Sequence, residues 1–212
     1  MMQVQNYQNK TAGLLASKVC HDLASSLTHI VFIKEDLMDG TINQQTCIKD
    51  LMDGIDLLCL RLNFFQNIMV QSKHISNLYA ILTEICKKNN IDLSIVYEKP
   101  DYIEEKYYNE NIVCGILYIL IHSAIKSKTR NKLQLIFTQE DNIVIKVSNS
   151  TLLDLPQEVK DIMSSDEMQP SIINIFAVYI KNIMNEYKYA VYANEVCVND
   201  SHEVDIVIKS LA

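Results

Sequence analysis

Residues 14–37, LLASKVCHDLASSLTHIVFIKEDL, decide the fold. Set out at about 100° per residue, Ala12, Ala16, Val19, Leu23, Leu27, Ile30, Ile33 and Leu37 gather along one side of a helix. A heptad fits the same run: Ala16, Leu23, Ile30 and Leu37 take one core position, and Ala12, Val19, Ser26 and Ile33 the other. His21 then lies roughly 170° from the middle of the stripe, at the outermost position. Lys18, Ser25 and Thr28 share its face, as do Leu14 and Phe32, because helical neighbours lie three or four residues apart. The pattern predicts an exposed imidazole on a rigid helix, flanked by small polar groups, one cation and two apolar side chains that a buried bundle does not need.

Working outward, Gly40 supplies a C-terminal stop after Asp39, and the short connection Asp39-Gly40-Thr41-Ile42 returns the chain antiparallel. The second helix is strictly periodic. Ile48, Ile55, Leu62 and Met69 are spaced by seven, and so are Leu51, Leu58 and Phe65. Gly54 interrupts this pattern at a cost of about 1 kcal/mol. Two such helices cannot bury both seams by themselves. The expectation is a homodimer whose two hairpins close a four-helix bundle; the plainer alternative packs the seams on the chain's own C-terminal half.

After Gln71 the heptad breaks, and the sequence implies two domains: a helical hairpin for dimerisation at 1–74, to which the resemblance given below adds phosphotransfer, then an α/β sandwich at 75–212. In the second, 77–89 reads as a helix and 91–97 alternates as a strand. An apolar helix follows over 109–128, then paired strands at 132–137 and 143–147. Helices are expected at 157–164 and 171–186, with Pro170 in a first turn, and a last strand pair at 187–198 and 203–209. The class is α+β, with helices on one face of a largely antiparallel sheet.

Composition narrows the partners. Hydrophobic residues make up 49% of the 212-residue chain and charged residues 21%, which fits an ordinary folded protein. The formal net charge of −7 argues against nucleic acid, and no apolar run is long enough to cross a membrane. Residues 1–10 carry no targeting pattern. Six scattered cysteines without a C-x-x-C pair point away from zinc and disulfides, and toward a reducing cytoplasm.

The string His21-Asp22-Leu23-Ala24-Ser25-Ser26-Leu27-Thr28 resembles the phosphoacceptor box of sensor histidine kinases, with Ser26 where that box has proline. The wider Leu15-Ala16-Ser17-Lys18-Val19-Cys20-His21-Asp22-Leu23 is similar to the ChpT-type histidine phosphotransferases of alphaproteobacterial relays, as is Met168-Gln169-Pro170-Ser171. The resemblance implies a bundle followed by a degenerate version of the kinase ATPase sandwich. In that ATPase family an N-L-L-x-N-A helix helps to hold magnesium; here Ile119 and Ser123 stand at its two asparagine positions. Where the family has D-x-G-x-G, this chain has Asn149-Ser150-Thr151-Leu152-Leu153. Its four glycines stand at positions 13, 40, 54 and 115, so no glycine-rich loop can close over phosphates.

The expected function is therefore a phosphorelay histidine phosphotransferase. It would pass a phosphoryl group between receiver-domain aspartates through His21, without ATP. Imidazole offers an unprotonated nitrogen near neutral pH. By resemblance, Asp22 would orient or deprotonate it, Lys18 would neutralise phosphoryl charge and Ser25 would complete the site. Leu14, Thr28 and Phe32 would contact the receiver. No cofactor is expected in this chain, since the Mg²⁺ for transfer would sit in the receiver's acidic pocket. Two other readings stand beside this one: a divergent ATP-dependent sensor kinase, and a non-catalytic dimeric scaffold of the same fold.

Overall fold

The computed structural model describes residues 2–40, 43–70, 78–98, 110–127, 132–138, 142–148, 150–164, 168–198 and 201–211. They group into two compact units, Met1–Lys88 and Asn89–Ala212.

The first unit is helical. Helix α1 spans Met2–Asp39, α2 spans Gln44–Val70 and α3 spans Leu78–Lys88. Gly40 ends α1 at φ 64°, a left-handed conformation in which a Cβ would be strained. α1 and α2 pack along each other as the expected hairpin. α3 joins them: Lys88 at its end pairs with Asp53 and Asp56 of α2, each at 3.1 Å. The expected domain boundary at 74/75 lies outside the described residues, and the packing assigns α3 to the helical unit.

Among the described residues of this unit, one flank of each of α1 and α2 is covered. Leu15, Asp22 and, half-buried, Val19, Ser26, Ile30 and Ile33 face inward on α1. Ala12, Ala16 and Leu27, expected in the buried stripe, are exposed. The stripe is wider than one neighbour can cover, and α2 takes the side centred on Leu15 and Asp22. On α2, Phe65 is buried while Leu51 and Leu58 are half-buried. The other seven-residue series remains open, with Ile48, Ile55 and Leu62 all exposed. Gly54 has a use here: a Cβ at that position would stand 3.1 Å from Ile30 Cγ1, so the missing side chain lets the helices approach.

The second unit is an α+β sandwich. Its strands are β1 (Asp92–Tyr97), β2 (Lys132–Phe137), β3 (Asn142–Ser148), β4 (Tyr189–Val198) and β5 (Ser201–Ser210), in the spatial order β1-β2-β3-β5-β4. All pairings are antiparallel except β1 with β2. That parallel pair requires a crossover, and α4 (Glu110–Ser127) lies between the two strands in sequence. Alternation sets the core: Leu133, Leu135, Ile143, Ile145, Val147, Val204, Ile206 and Ile208 are buried on one face. Residues 112–121 of α4 are buried on every side, so this helix is apolar all round rather than amphipathic.

Helices α5 (Gln157–Met163) and α6 (Ile175–Tyr187) complete the layer. Lys181 of α6 donates to the carbonyls of Asp161 and Ser164, placing a cation at the C-terminal end of α5. α6 starts four residues later than the expected 171, leaving Pro170 outside it. The Asn174 carboxamide oxygen accepts from both the backbone N–H and the hydroxyl of Ser171. This local turn competes successfully with helical hydrogen bonding.

Candidate functional site

α1 runs unbroken through the histidine box. Ser26 keeps the backbone N–H that a proline would remove, and its hydroxyl donates to the Asp22 carbonyl at 3.3 Å. The helix therefore carries His21 on a continuous support, with its side chain 70% exposed.

Its neighbour Asp22 turns the opposite way, with a side chain 6% exposed. Successive helical residues point about 100° apart, so the pair spans the border between solvent and hairpin interior. From that border Asp22 Oδ1 lies 3.4 Å from His21 Nδ1. The same oxygen accepts from Lys18 Nζ at 3.0 Å. Lys18, read in sequence as sharing the histidine's outer face, bends inward to this carboxylate and keeps only 18% of its side chain exposed. An acceptor facing Nδ1 favours the tautomer with its proton there, which leaves the Nε2 lone pair available to solvent.

Around this centre Ser25, Thr28 and Phe32 are exposed, and Leu14 is half-buried. Thr28 returns its hydroxyl to the Ala24 carbonyl at 2.9 Å, so its methyl is the group left to meet a partner. Phe32, 61% exposed, adds an apolar ring three turns along from His21.

One residue of this neighbourhood was not read from the sequence. Arg61 of α2 is buried, and its Nη1 donates to Ser26 Oγ at 2.6 Å. The signal was present as a polar Ser26 at a core heptad position, which needs a polar partner once buried. What the sequence could not show is which residue of the returning helix stands opposite. Among the described residues, no three His, Cys, Asp or Glu side chains come together as metal ligands.

Compared with known families and with curated proteins, the sequence finds no match. Solved structures do resemble it. A bacterial phosphotransferase superposes with a TM-score of 0.72 at 14% identity, covering 94% of this chain and 96% of that chain. The catalytic domain of the histidine kinase ThkA gives 0.39 at 18% identity, over 64% of this chain and 90% of its own. The histidine kinase domain of an Erythrobacter litoralis blue-light activated kinase gives 0.39 at 9%, over 94% and 92%. The first likeness shows a shared fold along nearly the whole chain; the two kinase domains superpose too loosely to add to it.

Proposed function

We propose that this chain is a histidine phosphotransferase of the ChpT type, passing a phosphoryl group between receiver-domain aspartates through His21. The observation that carries the reading is the exposed imidazole whose Nδ1 faces a buried carboxylate. The fold shared with a bacterial phosphotransferase supports it.

In the forward half-reaction, the Nε2 lone pair attacks the phosphorus of an aspartyl phosphate on the donor receiver. The N–P bond forms as the acyl P–O bond breaks, and the aspartate leaves as carboxylate with the electron pair. Positive charge then spreads over the imidazole, and Asp22 beside Nδ1 stabilises it without moving. Lys18, held against Asp22, keeps that carboxylate in place and adds a cation one turn from the phosphoryl group. A second receiver reverses the chemistry, its aspartate taking the phosphoryl group from Nε2. Mg²⁺ belongs to the receiver's acidic pocket.

Receiver docking falls to Leu14, Thr28 and Phe32, on a helix face suited to a transient signalling contact. The exposed Ile48, Ile55 and Leu62 series fits a second copy of the hairpin, closing a four-helix bundle. All six cysteines are free thiols, as suits a cytoplasmic protein.

The test is incubation of the purified chain with phosphorylated receiver domains from the same organism. Acid-labile label on the wild type, absent from His21→Ala, is the expected result. Label that persists in His21→Ala, or that never leaves the receivers, overturns the reading.

A further inference from the structure

We draw no further inference here: the strongest candidate, the exposed Ile172–Ile173 pair on the turn that the Asn174 side chain pins ahead of α6, is an apolar surface patch, and nothing in the structure shows what covers it.

Discussion

His21 and Asp22 are adjacent in sequence and opposite in environment, and the site depends on that contrast. Truncating the exposed His21 to alanine should cost at most about 0.5 kcal/mol of stability while removing all label uptake; thermal melts and receiver transfer measure the two separately. Asp22→Asn keeps the side-chain shape and loses the charge, so it should slow transfer by about 10²-fold with the helical signal intact. A second titratable group belongs to the other unit. Burial pushes the Glu110 carboxyl, in the first turn of α4, up to about 7, and its Oε2 is buried without a hydrogen-bond partner. The folded value lies above the usual 4.5. The stability that this group contributes is therefore complete below that value and is lost as the pH rises through about 7. Glu110→Gln should flatten the decline by on the order of 1 kcal/mol, allowing for a group only half-buried. Denaturant melts across that pH range test it, and an unchanged slope rejects it. At this scale the sequence revealed the exposure of His21, because the heptad places it outside. The burial of Asp22 and the contact of Ser26 with Arg61 depend on which flank α2 covers, and a single helix's periodicity does not specify that.

The hairpin was legible as an element because two seven-residue series and one stop glycine mark its helices and turn. Its register was not, since any shift by a heptad satisfies the same pattern. Gly54 against Ile30 and Arg61 against Ser26 fix it. Gly54→Val would force β-branched bulk into a gap already at 3.1 Å, and should destabilise the fold by about 1–3 kcal/mol, read as a lower melting temperature. Assembly is tested on the open flank. Ile55 is 44% exposed in one chain, so Ile55→Asp should fold normally as a monomer. In a four-helix bundle the same carboxylate would be buried without a partner, and the dimer should dissociate. Light scattering at half the wild-type mass, with undiminished helicity, is the expected outcome; an unchanged dimer mass removes this face from the interface.

Across the whole molecule, strand and helix identities followed from period-two and period-3.6 patterns, and the hairpin of β2 with β3 was legible from its turn. The order of strands was not, because pairing between distant segments leaves no local signature. The α+β sandwich is expected to be silent toward nucleotide. Ile119 is buried within α4 and offers no ligand, Ser123 supplies a lone hydroxyl, and in the resemblance read from the sequence Thr151 and Leu153 replace the glycines of the kinase motif. Asn149, which in that resemblance replaces the adenine-reading aspartate, lies outside the described residues. Calorimetry with millimolar Mg·ATP should show no binding, and labelled ATP should leave His21 unlabelled; micromolar affinity or partner-free autophosphorylation would restore the kinase reading. The position of β5 has a consequence for synthesis. It is made after β1–β4, yet it lies between β3 and β4 with a ladder on each side. Until Ser201–Ser210 has been translated, β3 presents an unpaired edge backed by Ile143, Ile145 and Val147, the kind of template on which nascent chains join one another. Closure of the sheet thus waits for a strand made after both of its neighbours. A ribosome that stalls just short of residue 201 would release a species prone to aggregate, rather than a slightly shortened protein.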